Sequence, residues 1–124
     1  MEWDDSTLVS LAQNRAHIDA LIMEELNITS SGIALIAPDK FKKTQEYLSK
    51  NDPDLPLHIL INNYNPVSHI WDRDILYTLL SQPIKRRALA NQLRSFAIHH
   101  DLAGINIDFE ALDAEIFPYY LLFL

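Results

Sequence analysis

The chain has 124 residues, of which 48% are hydrophobic, and it carries no cysteine, two glycines and a formal net charge of −7. The length and the apolar fraction suit one globular domain. The lack of cysteine excludes a disulfide scaffold, a thiolate-bound metal and a cysteine nucleophile, and the acidic balance argues against broad binding to nucleic-acid phosphates. Two glycines are too few for a glycine-rich phosphate loop, so any functional site must be built from side chains on strands and helices.

Neither end of the sequence carries a targeting signal. The first five residues, MEWDD, are acidic and lack the basic and apolar regions of a secretory signal peptide. No run approaches the ~20 apolar residues that a membrane-spanning helix needs. The most apolar stretch covers residues 116–124 and finishes without a polar cap. We therefore expect the chain to stop inside an element that packs on something else.

The first half of the chain predicts an alternation of helices and strands. The first element is a helix capped by Ser6, with apolar positions Leu8, Leu11 and Ala12. A short strand over residues 17–23 and a polar loop over residues 27–32 follow. An apolar run over residues 33–37 fits either a helix or a strand, and Pro38-Asp39 begins a helix over residues 40–50. The last of these helices is predicted to end at residues 51–54, because the proline there cannot continue it.

The second half gives stronger signals. In chain order they predict a buried strand over residues 57–61, a turn-rich loop over residues 62–66, a short helix over residues 74–80, a longer helix from Pro83 to about His99, and an alternating strand over residues 103–110. The longer helix is expected to pack through Leu89, Leu93, Phe96 and Ala97, which share one face. A strand, a crossover helix and a second strand imply a parallel pair, so the predicted fold class is α/β.

The last strand carries the residues with the clearest chemical potential. Ile105, Ile107 and Phe109 alternate with Asn106, Asp108 and Glu110, so the two carboxyl groups are expected on one face, about 6.6–6.8 Å apart at their origins. Two close carboxyl groups shift each other's protonation, and one of them can then serve as a general acid. The alternative interpretation is an ordinary amphipathic strand with one solvated face.

Residues 104–110, GINIDFE, resemble the catalytic-strand motif of family 18 glycoside hydrolases, the chitinase-like enzymes. That motif ends one parallel strand of a TIM barrel and reads Asp-Gly-x-Asp-x-Asp-x-Glu. Glu110 matches its final Glu and Asp108 its last Asp, and the glycine also matches. Asn106 stands at the middle Asp and Ala103 at the first, so two of the motif's acids are replaced.

Other segments are similar to a bacterial branch of this family whose hydrolase-like domain is often joined to a polysaccharide deacetylase and a glycosyltransferase. They are Ile18-Asp19, the segment at residues 60–66 with Trp71, the helix start at residues 83–86, and the late helix over residues 119–124. The resemblance covers most of residues 8–124. It implies a protein that faces the cell envelope or the exterior.

The resemblance also implies roles for the acidic residues. In the family mechanism the N-acetyl group of the sugar acts as nucleophile, an exception to the usual scheme of two carboxylates. Glu110 would protonate the leaving oxygen, and Asp108 would orient the acetamido group and stabilise the positively charged intermediate. Asn106 would donate a hydrogen bond to Asp108, although an amide cannot share a proton as a carboxyl group can.

Several further residues have two possible roles. Asn62, Asn63 and Tyr64 follow the end of a strand, where TIM-barrel loops bind substrate, and the asparagines either contact sugar or form the loop. Trp71 either stacks on a sugar ring or packs in the core. Glu24 and Glu25 are either solvated loop acids or residues of the barrel mouth, and His99-His100-Asp101 are either helix-end residues or metal ligands.

The sequence as a whole predicts a partial (β/α)8 TIM barrel of about the first three to four strand–helix units. A closed barrel takes typically ~250 residues, so residues 1–124 are predicted to form a single incomplete domain, truncated at its C-terminus. The full-length protein is expected to hydrolyse an N-acetylated β-linked, chitin-like polysaccharide, and the 124-residue chain alone is expected to be inactive. The expected partners are a polysaccharide or oligosaccharide and linked deacetylase or glycosyltransferase domains, with no cofactor, metal or nucleic acid.

Two rival interpretations remain at this point. In the first, the domain is a non-catalytic glycan-binding module of a polysaccharide synthase or deacetylase assembly, and Asn106 and Ala103 mark lost catalysis. In the second, the chain is a structural fragment that folds only by pairing its open sheet edge with another chain.

Overall fold

The structure is a computed structural model that describes residues 5–124, so most of the acidic N-terminal stretch lies outside the described residues. Within them the helices are α1 (Asp5–Asn14), α2 (Pro38–Asn51), α3 (Arg73–Leu80), α4 (Pro83–His99) and α5 (Phe117–Phe123), and a 3-10 helix spans Arg15–His17. The strands are β1 (Leu21–Thr29), β2 (Gly32–Leu35), β3 (Leu57–Asn62), β4 (Tyr64–Asn65), β5 (Ile70–Trp71) and β6 (Gly104–Asp108).

Four of the strands form one sheet in the order β2-β1-β3-β6. Strands β1, β3 and β6 run parallel, and β2 pairs antiparallel with the second half of β1. The chain passes through α2 between β1 and β3, and through α3 and α4 between β3 and β6. The predicted α/β class and the strand–helix–strand unit around α4 are therefore confirmed.

The sheet face that packs on the helices forms the core. Met23 on β1 and Ile59 and Ile61 on β3 are completely buried. Helix residues of the same cluster are Phe41, Leu48, Leu76, Leu80, Leu89 and Leu93. Burying each such side chain contributes roughly 1.5–3 kcal/mol, so this face holds the sheet and the helices together.

The opposite sheet face carries both polar and apolar side chains and is accessible. Strand alternation and register place Ile22, His58, Leu60, Asn106 and Asp108 on it. Ile22 is 53% exposed and the other four are half-buried. In a barrel this face is the interior, which carries the side chains that reach the site.

The N-terminal predictions need two corrections. Helix α1 already includes Asp5, so Ser6 lies inside the helix and is not its cap. The strand predicted over residues 17–23 begins only at Leu21, since Arg15–His17 forms the 3-10 helix. Arg15 holds this turn in place because its guanidinium pairs with Asp52 and donates to the carbonyl of Ile18 over 2.7 Å.

The loop predicted over residues 27–32 is also wrong, because β1 continues through Asn27, Ile28 and Thr29. These residues pair with β2, for example Asn27 with Ala34, and only Ser30 and Ser31 form the turn. The apolar run over residues 33–37, whose type the pattern left open, belongs largely to β2. The polar residues of β1 are therefore strand residues because of their pairing, not because of their own propensity.

Strand β1 contains an irregularity that buries one carboxyl group. The register with β3 shifts between Glu24 and Leu26, so Glu25 is an extra residue in the strand. Glu25 is only 3% exposed, and its Oε2 accepts the N–H of Ala37, which precedes α2, over 3.0 Å. Burial raises the pKa of Glu25 above the usual glutamate range.

Both glycines stand where a side chain does not fit. Gly32 has a φ of +120°, and a Cβ on it would overlap the side-chain amide of Gln92. A Cβ on Gly104 would lie 2.7 Å from Nδ1 of His58, its partner across β3 and β6. The first glycine permits the turn between β1 and β2, and the second permits β6 to lie beside His58.

Candidate functional site

The candidate site lies at the carboxyl ends of the parallel strands. Asn62 is the last residue of β3 and Asp108 the last of β6, and the two are partners in the register of these strands. In (β/α)8 barrels the residues at this edge bind substrate and carry the chemistry. The sequence analysis predicted site residues at both positions, and the fold brings them side by side.

Glu110 lies beyond the strand in which it was predicted. Strand β6 spans Gly104–Asp108, so Ala103 and Glu110 flank it, and Glu110 is exposed whereas Phe109 is buried. The next residue, Ala111, has a left-handed φ of 60°. The chain has therefore left the sheet at Glu110. The prediction that Asp108 and Glu110 lie two positions apart on one strand is corrected, because only Asp108 belongs to β6.

Asn63 holds the backbone of Glu110 at this point. Its Oδ1 accepts the N–H of Glu110 over 2.9 Å, and its Nδ2 donates to the carbonyl of Glu110 over 3.0 Å. The same Nδ2 donates to the carbonyl of Asp72 over 3.3 Å, and the N–H of Asp72 donates back to the carbonyl of Asn63 over 2.8 Å. Only 1% of the surface of Asn63 is exposed, and its side-chain amide forms its hydrogen bonds with protein groups.

Asn62 is the centre of a second buried polar network. Its Oδ1 accepts from Nδ2 of Asn27 over 2.7 Å and from the N–H of Tyr64 over 3.1 Å. Its Nδ2 donates to Oε1 of Glu24 over 2.8 Å. Asn27 also donates to the carbonyl of Tyr64 over 2.7 Å, so the amides of both asparagines fix the start of the loop after β3.

Asn106 and Asp108 follow each other on the open face of β6. Both are half-buried, and the Nδ2 of Asn106 is buried with no hydrogen-bond partner in the described part of the chain. An unpaired buried donor costs about 1–3 kcal/mol, so the arrangement is unfavourable unless a further group accepts from it. The amide is thus a free donor on the face that carries Asp108.

Tyr64 and Trp71 form the base of a small hairpin. They are partners in the two-stranded sheet of β4 and β5, of which only β4 lies inside the turn-rich loop predicted over residues 62–66. Their rings meet edge to face with centroids 5.5 Å apart, and both residues are half-buried. Val67 at the hairpin tip is 88% exposed, and Ile70 in β5 is 57% exposed. The two aromatic rings therefore border the site without entering the main core.

The segment after Glu110 is held by an ionic cluster that the sequence analysis did not identify. Arg73, the first residue of α3, donates to Asp113 over 2.6 Å and to Glu115 over 2.5 Å. Asp113 in turn accepts the N–H groups of Glu115 and Ile116, each over 3.0 Å. No local signal could have revealed these partners, since about 40 residues separate them; the only hint was the clustering of acids directly after the motif.

Of the other candidates, only Glu24 reaches the site: it is exposed, and its Oε1 accepts from Nδ2 of Asn62. Glu25 is buried and bonded to the N–H of Ala37. His100 packs against the rings of Phe41 and Phe96, with centroids 5.1 and 4.4 Å away. Over residues 5–124 no group of three or more histidine, cysteine or acidic side chains is placed to hold a metal ion. No helix in the same range is long and apolar enough to cross a membrane.

Known proteins resemble this chain in sequence and in fold. No protein-family model matches the chain. The chain is 27% identical over 112 residues to the uncharacterized glycosylase YvbX of Bacillus subtilis (strain 168). The aligned region covers 90% of this chain and 31% of that protein. The class V chitinase of Pseudomonas fluorescens Pf-5 matches with a TM-score of 0.82 at 19% identity, over 93% of this chain and 34% of that one.

Two further chitinase structures have the same fold in this region. The chitinase of Chromobacterium violaceum ATCC 12472 matches with a TM-score of 0.79 at 20% identity, over 98% of this chain and 37% of that one. A mutant class V chitinase of Nicotiana tobaccum in complex with NAG4 matches with a TM-score of 0.70 at 12% identity, over 89% of this chain and 32% of that one. The chain spans about a third of the length of these relatives. It therefore has the fold of part of a class V chitinase, and the resemblance to chitinase-like glycoside hydrolases that its sequence indicates is confirmed.

Proposed function

We propose that the protein carrying this chain hydrolyses glycosidic bonds of an N-acetylated β-linked polysaccharide, with Glu110 as the general acid. The observation that carries the proposal is the exposed Glu110, two residues beyond Asp108 at the carboxyl end of a parallel strand in a chitinase-like fold.

The proposed reaction is substrate-assisted and retains the anomeric configuration. Glu110 donates its proton to the glycosidic oxygen while the carbonyl oxygen of the sugar's N-acetyl group bonds to the anomeric carbon, which breaks the bond to the leaving group. The carboxylate of Asp108 orients the acetamido group and stabilises the positive charge of the cyclic intermediate. Water then attacks the anomeric carbon and gives a proton to the Glu110 carboxylate, which restores both the enzyme and the acetamido group.

Asn106 has a defined place in this scheme. Its Nδ2 is buried and without a partner in the described residues, and it shares the open face of β6 with Asp108. In the proposed complex this amide donates a hydrogen bond to the Asp108 carboxylate or to the sugar bound against it. Either bond would satisfy the donor that is otherwise left unpaired.

The sugar-binding surface is proposed to include the loop after β3. Trp71 and Tyr64 offer aromatic rings on which a sugar ring can stack. Asn62 and Asn63 belong to the same surface, and we assign them the task of shaping it, because both are buried and hydrogen-bonded within the protein. The bound oligosaccharide would then lie across the carboxyl ends of β3 and β6.

The proposal applies to the whole protein and not to the chain alone. The chain spans about a third of the chitinases it resembles, so we propose that it is one part of a larger barrel domain. Linked deacetylase or glycosyltransferase domains would place the activity in the processing of a polysaccharide at the cell envelope.

The deciding experiment is hydrolysis of a chromogenic N-acetylglucosamine oligomer by the intact protein and by its Glu110→Gln variant. Loss of a general acid lowers kcat by about 10²–10⁴-fold. Glu46→Gln, an exposed substitution on α2, is the matched control and should leave turnover unchanged. Equal turnover by the wild type and Glu110→Gln would contradict the proposal. Binding of the oligomer by both, with hydrolysis by neither, would instead identify a glycan-binding module.

A further inference from the structure

The carboxyl group of Glu110 must point in a defined direction, yet Glu110 is not part of a regular element. Strand β6 ends at Asp108, and the left-handed Ala111 turns the chain away immediately after Glu110. The N–H and the carbonyl of Glu110 are both bonded to the side chain of Asn63, over 2.9 and 3.0 Å. A pair of bonds to one amide fixes the backbone on both sides of the Glu110 Cα, and therefore the direction in which its side chain leaves.

Asn63 is itself held rigidly. It is 1% exposed, and it exchanges hydrogen bonds with Asp72 through both its backbone and its side chain. Asp72 caps α3 by accepting the N–H of Ile75 over 3.0 Å, so the amide of Asn63 is fixed relative to a helix end. The position of Glu110 is thus tied to β3 and α3, and not only to the strand that precedes it.

We infer that Asn63 is a positioning residue for the proposed acid, an inference that rests on the function proposed above. Asn63 has no exposed donor with which to hold sugar, since both hydrogens of its Nδ2 are directed at protein carbonyls. Its contribution is to the geometry of proton transfer, which falls steeply when a catalytic group is misplaced by about 1 Å. Removal of Asn63 should therefore lower kcat and leave KM unchanged.

The test measures kcat and KM of the intact protein on the chromogenic N-acetylglucosamine oligomer. Asn63→Ala removes both bonds to Glu110, and we expect kcat to fall by about 10²-fold at an unchanged KM. Asn63→Asp keeps the shape and the acceptor but, when ionised, turns an oxygen instead of a donor towards the carbonyls of Glu110 and Asp72, so kcat should fall in this variant too. Leu48→Ala, a buried substitution on α2 that is remote from the site, controls for a general loss of stability and should keep the wild-type kcat.

The outcomes separate this inference from the proposed function. If Glu110→Gln abolishes hydrolysis and both Asn63 variants keep the wild-type kcat, the positioning role is wrong while the acid role stands. If Glu110→Gln retains activity, the acid role itself fails. If Asn63→Ala does not fold, Asn63→Asp decides, because a wild-type kcat in that variant would overturn the inference. A raised KM at constant kcat would also overturn it, since that result indicates direct sugar binding.

Discussion

Arg73 donates from Nε to Oδ2 of Asp113 over 2.6 Å, although the two residues are 40 positions apart in the sequence. The same guanidinium reaches Glu115, and the other oxygen of Asp113 accepts the N–H groups of Glu115 and Ile116. Ile116 is completely buried. One arginine at the start of α3 thus organises the loop that follows Glu110 and seats the first core residue beyond it.

Replacing Arg73 should loosen this loop without unfolding the protein. In Arg73→Met the amides of Glu115 and Ile116 should exchange with solvent several-fold faster, because Asp113 is no longer held in position to accept from them. Global stability should change little, since exposed ion pairs contribute weakly. Hydrogen exchange followed by NMR measures both, and Arg87→Met, an exposed substitution on α4, is the control. Unchanged exchange in Arg73→Met would show that the ionic cluster is not what orders the loop.

The same cluster makes the loop sensitive to acid. The hydrogen bonds from Arg73, and then that from the N–H of Ile116, hold the pKa of Asp113 below the usual aspartate range. A carboxyl group with a lowered pKa contributes stability that is fully present above its unfolded pKa of about 3.9 and is lost as the pH falls through the lowered value. The protection of the loop amides against exchange, relative to an unstructured chain at the same pH, should therefore fall only below about pH 4, and that response should be absent in Arg73→Met.

His100 should make the fold weaker at mildly acidic pH. Burial against the rings of Phe41 and Phe96 lowers the pKa of His100, and His99 beside it lowers it further. Because the unfolded chain takes up the proton first, stability falls as the pH drops through about 6.5 and levels off below the lowered pKa. The Tm should drop by a few degrees between pH 7.5 and 5.5, and this drop should be smaller in His100→Gln. An equal drop in both proteins would contradict the assignment.

Gly104 should be replaceable only if His58 is replaced as well. A methyl group at this position would lie 2.7 Å from Nδ1 of His58, and forcing an extra carbon into a filled space typically costs about 1–3 kcal/mol. Denaturant unfolding should show this loss in Gly104→Ala and a partial recovery in the double variant Gly104→Ala/His58→Ala. If the two substitutions are simply additive, the contact with His58 is not the reason for the glycine.

Asn106→Asp should change how activity depends on pH. The substitution adds a second carboxyl group to the open face of β6, two residues before Asp108, where like charges disfavour simultaneous ionisation. The pH–rate profile of the intact protein should gain an additional ionisation on its acidic side. Asn91→Asp, an exposed substitution on α4, should leave the profile unchanged. A profile of Asn106→Asp identical to that of the wild type would separate Asn106 from the proposed chemistry.

Local signals in the sequence predicted the second half of the fold well. Pro83 opens α4 as expected, and Leu89 and Leu93 form its buried face. Strand β3 has the continuous apolar pattern of a strand between two others. These features depend on residues a few positions apart, so they are legible without knowledge of the fold.

Features that depend on distant partners were not predictable. Asn27 is in a strand because it pairs with β2 and donates to Asn62, 35 residues away. Glu110 leaves its strand because Asn63, 47 residues earlier, takes both of its backbone groups. The sequence motif identified the acid, but the arrangement that directs it could be read only from the structure.

The order of these partners along the chain has a consequence for biosynthesis. Asn63, Asp72 and Arg73 all precede Glu110, and the acids that complete the cluster follow it within five residues. Proteins emerge from the ribosome N-terminus first, at about 5–20 residues per second. All the described hydrogen-bond partners of the segment around Glu110 have therefore been synthesised once residue 116 has left the exit tunnel. This segment can then form its hydrogen bonds before the residues after 116 emerge.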